Sequence, residues 1–270
     1  MGRRLAVLAG AGALVSEVVA AALNAGDTVG VFALMPQPPR VGTDLIVVDP
    51  DDPEGLLAAL LAFGATHMVM AGGVSLSDRH REQLARLAGG SSSLGDVSFS
   101  GVLRSYLARS GSTLLGVHEV VPGLLAGTGL IAGPRVGAAT MAVARFALAA
   151  AREVGRLDLG QAAVVTGTRV IAAEDVAGTD DLLRRVGRYR AEGLIGDGTS
   201  LMVLGKALKP QQPMFVDLPA IGAETVENAA ASGVIAIAVE ADRTLLIDRP
   251  ALIMAAERHG VSVLGLAVDG

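Results

Sequence analysis

The chain of 270 residues contains no cysteine and no tryptophan, and aromatic residues make up only 3% of it. The absence of cysteine excludes a disulfide framework, a thiolate zinc site and a cysteine nucleophile. Charged residues are scarce at 18%, and they are too evenly spread to form a tail. The net charge of −5 lacks the basic surplus that a broad nucleic-acid footprint requires, so no nucleic-acid partner is expected. With so few rings, leucine, valine, alanine and 35 glycines must fill the interior. Small side chains of this kind suit close packing of helices on sheets. The length points to two domains, each able to bury a core without staples.

Apolar residues reach 51%, which raises the question of a membrane span. The longest stretch without Asp, Glu, Lys or Arg runs from Gly55 to Ser77 and is long enough to cross a bilayer. Its interior reads instead as a helical run ending at Gly64, a short strand His67–Ala71 and a Gly72-Gly73 loop. Met1-Gly2-Arg3-Arg4 before an apolar run has the outline of a signal peptide. Glu17 interrupts it, and the segment makes sense as a strand, a glycine turn and a helix. The chain is therefore expected to be soluble and cytoplasmic.

Short apolar strands alternate with helices through the first half: Leu5–Leu8, Thr28–Ala33, Asp44–Val48, His67–Ala71 and Thr113–Val117. Helices are expected to about Gly26, over Glu54–Phe63, near Asp78–Ala88 and near Phe99–Arg109. This alternation implies a parallel sheet covered on both faces. Gly123–Gly137 is glycine-rich with little periodicity and is taken as the domain boundary, giving domains 1–133 and 134–270. The second half reads as a more mixed α/β domain. A long helix over Ala138–Val154 is followed by strands Ala162–Val165, Arg169–Ala172, Leu201–Leu204 and Met214–Val216. Val234–Val239 with Thr244–Ile247 reads as a hairpin, and Asp248 as the cap of a last helix before strand Val261–Leu266.

Four places could carry chemistry. Gly10, Gly12 and Ala13 lie between a strand and a helix, where backbone N–H groups can meet a phosphate. A dinucleotide fingerprint would need glycine where Val15 stands, so a nicotinamide-dependent oxidoreductase is the weaker alternative. Gly72, Gly73, Val74 and Ser75 follow the fourth strand, at the same sheet edge if the sheet is doubly wound. Thr179 reads as a helix N-cap, with Asp180 and Asp181 in the first turn. They either complement the helix dipole or present a hydroxyl and a carboxylate to a ligand or metal. Lys206 and Lys209 leave a strand as mobile charges suited to phosphate, and Asp217 follows before Pro219 and Gly222. Lysines near an aspartate suit phosphoryl chemistry, the aspartate holding a divalent cation or orienting water. A surface loop with a structural aspartate is the competing reading. His118 follows a strand and could reach a ligand cleft, and His67 reads as packed or locally bonded.

Seven segments stand out together: Leu8–Leu14, Met70–Ser75, Gly116–Val120, Gly155–Gln161, Glu174–Arg185, Lys206–Pro210 and Val216–Gly222. In their order and spacing they resemble the LpxI family of UDP-2,3-diacylglucosamine pyrophosphatases. The resemblance implies a Rossmann-like first domain and an α/β second domain with the substrate between them. It implies cleavage of a UDP-linked diacylated glucosamine to UMP and 2,3-diacylglucosamine 1-phosphate in lipid A synthesis, by water and a divalent cation such as Mg²⁺. Asp217 then corresponds to the family's key aspartate. Lys206 and Asp180 join it as catalytic candidates. Gly10, Gly12, Ala13, Gly72, Gly73, Val74, Ser75, Thr179 and Lys209 are substrate-binding candidates. A homodimer through the second domain and peripheral inner-membrane contact through the lipid are also implied. The chain differs from the common family pattern at Ala11 and Val15 in the first loop and at Leu208 between the lysines. Those differences keep a non-catalytic nucleotide-sugar or lipid-binding homologue as the alternative.

Overall fold

The computed structural model describes residues 2–33, 45–48, 53–73, 107, 111–195, 201–212, 214 and 218–268. The chain forms two compact units, one of Met1–Pro122 with Gln212–Asp217, the other of Gly123–Gln211 with Leu218–Gly270.

The first unit holds strands β1 (Arg4–Ala9), β2 (Thr28–Ala33), β3 (Leu45–Val47), β4 (His67–Ala71) and β5 (Thr113–Leu115). All pairings are parallel, in the order β3-β2-β1-β4-β5. Helix α1 (Leu14–Asn24) buries Val15, Val18, Val19 and Ala22, a spacing that lines one helical face. Helix α2 (Pro53–Phe63) ends on Phe63, whose ring meets Phe32 edge-on at 5.8 Å and lies under the Arg4 guanidinium. A short helix α3 (Val117–Val120) follows β5. The charge-free stretch thus resolves into α2 and β4. Among the described residues, no helix is long and apolar enough to cross a membrane.

The second unit contains β6 (Gly129–Ala132), β7 (Ala162–Thr166), β8 (Arg169–Ala173), β9 (Met202–Lys206), β10 (Ala220–Ile221), β11 (Ala236–Glu240), β12 (Leu245–Leu246) and β13 (Ser262–Leu266). Six of these form a mixed sheet in the order β6-β13-β11-β9-β7-β8. Its helices are α4 (Ala138–Arg156), α5 (Gly178–Ala191), α6 (Ala223–Ala231) and α7 (Arg249–His259). Alternate residues of each central strand enter different cores. Val203, Ala236, Ala238 and Leu264 pack with α4, whereas Met202, Leu204, Ile237 and Val263 pack with α5, α6 and α7. The sheet is therefore a filled middle layer. The scarcity of rings has its use here. A β-carbon at Gly205 of β9 would stand 2.1 Å from the Ala147 carbonyl oxygen, so α4 lies directly on the strand backbone.

The fold class read from the sequence is correct, and several local readings change. The fifth strand ends at Leu115, and Val117 and His118 are helical. The glycine-rich Gly123–Gly137 stretch contains β6, which pairs antiparallel with β13. The hairpin does not form. β11 instead pairs in parallel with β9 and β13, and β12 pairs in parallel with β10. Met214 lies in a turn; the rest of the strand read at Met214–Val216 falls outside the described residues. The helices read near Asp78–Ala88 and Phe99–Arg109 also fall outside them, apart from Leu107.

Candidate functional site

In the first unit the carboxyl ends of β1, β4 and β5 lie at one sheet edge, because the three strands run in parallel. The strand order reverses direction between β1 and β4, the place where open α/β sheets receive ligands. The two glycine loops meet there. The Gly10 N–H donates to the Ala71 carbonyl at 2.8 Å, and Ala11 and Gly73 exchange two N–H···O bonds of 2.9 Å. Gly72 has φ +84°, and a β-carbon on it would stand 2.4 Å from the Ala11 oxygen. The close approach that demands glycine is thus between the loops themselves. The Ala11 and Gly73 amides are already committed, while the first turn of α1, after Gly12 and Ala13, leaves the N–H groups every helix start exposes. Val74 and Ser75 lie outside the described residues. His118 sits on α3 with its Nδ1 buried and without a hydrogen-bond partner among the described residues. His67 is locally bonded, its Nδ1 lying 3.0 Å from the Thr66 hydroxyl.

In the second unit, sheet direction again gathers distant residues. β9 ends at Lys206, and the antiparallel β7 begins opposite it at Ala162. β8 ends at Ala173 opposite Ala163, so Gln161, Glu174 and Lys206 share one edge. The start of α5 follows at once and brings Thr179 there. Lys206 Nζ donates to the Thr179 hydroxyl at 2.8 Å and to the Ala220 carbonyl at 2.9 Å. The Thr179 hydroxyl donates to Glu174 Oε1 at 2.7 Å. Glu174 Oε2 accepts from the Gln161 N–H at 2.6 Å. Gly160 makes room for this, since a β-carbon there would lie 2.7–2.9 Å from Glu174.

Thr179 is consequently not an N-cap. Helix α5 starts at Gly178 with Ala177 before it, and the threonine hydroxyl is used between Glu174 and Lys206. Asp180 is exposed and accepts from Asn228 Nδ2 at 3.0 Å. Asp181 and Asp175 pair with Arg185, whose guanidinium also donates to the Ala173 carbonyl. That arginine is structural and ties the start of α5 to the end of β8.

The lysines are not mobile surface charges either, for both are buried. Lys209 Nζ lies 2.8 Å from Asp158 Oδ1. Asp158 has φ +57° in the turn after α4, and Gln211 Nε2 donates to the Gly155 carbonyl beneath the same loop. Glu240, 3% exposed at the end of β11, accepts from the Leu208 N–H at 3.2 Å and from Arg152. Asp217 lies outside the described residues. Among the described residues, no group of three or more His, Asp or Glu side chains could hold a metal. Both Glu174 oxygens are engaged as acceptors.

Residue-by-residue reading missed the roles of Glu174, Asp158, Glu240 and Asn228. A signal existed for Glu174: an acid five residues before a threonine at a helix start. It gains meaning only when β8 and β9 are known to end at one edge.

A two-unit α/β protein, with paired glycine loops at a parallel-sheet switch point and a buried lysine–threonine–glutamate chain at a mixed-sheet edge, is the class that these features define. The chain belongs to the LpxI family. The LpxI C-terminal domain family model matches residues 127–264. A curated relative, the UDP-2,3-diacylglucosamine pyrophosphatase LpxI of Caulobacter vibrioides, is 35% identical over 283 residues, covering 98% of each chain. A solved UDP-glucose-4-epimerase from Stenotrophomonas maltophila, with bound NAD and formylated UDP-arabinopyranose, aligns with 50% of this chain and 40% of its own. It is 9% identical to this chain, with a TM-score of 0.29.

Proposed function

We propose that this chain hydrolyses the pyrophosphate of UDP-2,3-diacylglucosamine, giving UMP and 2,3-diacylglucosamine 1-phosphate. The observation that carries the reading is the similarity, over nearly the whole of both chains, to a relative named for that activity. The local chemistry agrees with it. Pyrophosphate cleavage builds negative charge on phosphate oxygens, and fixed cations in a partly dry site stabilise that charge best. Lys206 and Lys209 are buried lysines with defined partners, and in this reading they counter the phosphate charge. Thr179 holds Lys206 in place, Asp180 is a candidate carboxylate ligand for the divalent cation, and Asp217 positions the attacking water. Gly12 and Ala13, at the open first turn of α1, approach the substrate through their backbone, Gly10, Gly72 and Gly73 hold the two loops together at that edge, and Val74 and Ser75 remain substrate-binding candidates.

Mg²⁺ belongs to this proposal through Asp217. Among the described residues, no group of three or more His, Asp or Glu side chains forms a cage for it. A bound divalent cation would supply Lewis-acid stabilisation of the phosphate oxygens. We also place the protein in the cytoplasm, as a homodimer through its second unit and in peripheral contact with the inner membrane through the lipid. Leu157, Leu159 and Val176 are exposed on the loops that carry Asp158 and Glu174, a disposition suited to acyl chains. Neither the non-catalytic reading nor the nicotinamide reading gains support from the family or the relative.

The test is UMP release from UDP-2,3-diacylglucosamine with Mg²⁺ present and with it chelated. Release by wild type, lost in Asp217→Ala, is expected. Undiminished release by Asp217→Ala would remove Asp217 from the mechanism, and undiminished release under chelation would remove the metal.

A further inference from the structure

We propose that Glu174 is a positioning residue that aims the Lys206 ammonium through the Thr179 hydroxyl. The inference rests on the phosphate-facing role of Lys206 proposed above and deepens it. An ammonium can only donate, and a threonine hydroxyl has a single proton. The Lys206 contact at 2.8 Å therefore occupies the Thr179 oxygen as acceptor, and the hydroxyl proton goes to Glu174 at 2.7 Å. The direction of the chain is fixed: Lys206 to Thr179 to Glu174.

Glu174 is itself held firmly. It is 9% exposed, and its second oxygen takes the Gln161 N–H at 2.6 Å, a short contact to a carboxylate acceptor. Its backbone N–H donates to the Ala162 carbonyl at 2.8 Å. Gly160 packs against it with no room for a β-carbon. A lysine stem has four rotatable carbons, so its head is placed by its acceptors. Two of those acceptors are the Thr179 hydroxyl and the Ala220 carbonyl. The carboxylate keeps the hydroxyl turned with its lone pairs toward Lys206. A neutral amide at 174 cannot serve both Thr179 and Gln161 as an acceptor, because one of its two heads is a donor.

The experiment is steady-state hydrolysis of UDP-2,3-diacylglucosamine by full-length wild type, Glu174→Gln, Thr179→Val, Thr179→Ser and the Glu174→Gln/Thr179→Val double variant. An interaction felt chiefly in the transition state lowers kcat and spares KM, so Glu174→Gln should lose about 30-fold in kcat with KM within about 3-fold. Thr179→Val should show the same split, and Thr179→Ser should recover most of what valine loses. The double variant should be no slower than Thr179→Val alone, since both changes cut one chain. A double variant slower by the product of the two losses would overturn the proposal. So would an unchanged kcat in folded Glu174→Gln. Should Glu174→Gln fail to fold, the Thr179 pair decides, and equal kcat for valine and serine overturns the proposal. Inactive wild-type protein is a different result and counts against the proposed hydrolysis itself.

Discussion

The Lys209 ammonium meets the Asp158 carboxylate at 2.8 Å, with the lysine side chain 10% exposed and the aspartate 50%. The aspartate sits at φ +57°, a conformation that asparagine tolerates at least as well. Asp158→Asn therefore removes the charge without disturbing the turn. Because one partner is half in water, the cost should be about 1 kcal/mol. This corresponds to a fall in Tm of about 2–4 °C, readable by circular dichroism or calorimetry. An unchanged Tm would mean that the pair contributes nothing to holding the Lys209 loop.

Gly205 tests the close helix-on-sheet packing. A β-carbon at this position would lie 2.1 Å from the Ala147 oxygen and 2.2 Å from its carbonyl carbon. Backbone must move to admit it. Gly205→Ala should destabilise the second unit by about 3 kcal/mol or more, beyond ordinary overpacking. Thermal unfolding checks this, and a Tm equal to wild type would contradict the packing described.

At the first unit's glycine loops, Gly72→Ala combines a positive φ with a contact of 2.4 Å to the Ala11 oxygen. The Ala11–Gly73 exchange should open, at a cost of about 1–3 kcal/mol. In the proposed function these loops touch substrate, so KM should rise by about ten-fold while kcat falls less. A wild-type KM in the folded variant would take the loops out of substrate binding.

The sequence already disclosed those elements whose signal is local. β4 has the bounds read from it, and α1 with its buried Val15, Val18, Val19 and Ala22 follows from periodicity. Contacts set by sheet order were not legible. Nearness in sequence suggests a hairpin of β11 with β12, yet the partners of β11 are β9 and β13. β6 was hidden by the glycines around it and is defined by pairing with β13, more than a hundred residues on. Thr179 and Lys206 lie far apart in sequence, and their contact depends on β8 and β9 ending together. Glu174 became visible only through that contact.

An acid-sensitive contribution should reside in the first unit. The Arg3 guanidinium grips Asp27 through Nε and Nη2, and the Arg3 backbone N–H adds a third donor. Hydrogen bonding to Arg3 holds the Asp27 carboxyl below its usual value, against the opposing effect of burial. A carboxyl lowered in the folded state stabilises fully above its unfolded value, about 3.9, and loses that stability as pH falls through the folded value. Wild type should therefore exceed Asp27→Asn by about 1 kcal/mol at pH 6–7, with the gap narrowing below about pH 4. Urea unfolding at a series of pH values reads this directly. A constant gap down to pH 3 would show that the ion pair is not its source.

The central claim is hydrolysis of a UDP-linked diacylglucosamine by a two-unit protein of the LpxI family. Phosphorus NMR of purified wild-type protein with UDP-2,3-diacylglucosamine and Mg²⁺ tests it most directly. The account predicts loss of the diphosphate signals and equal growth of two monophosphates, UMP and the sugar 1-phosphate. Intact diphosphate after hours with saturating, bound substrate would contradict it.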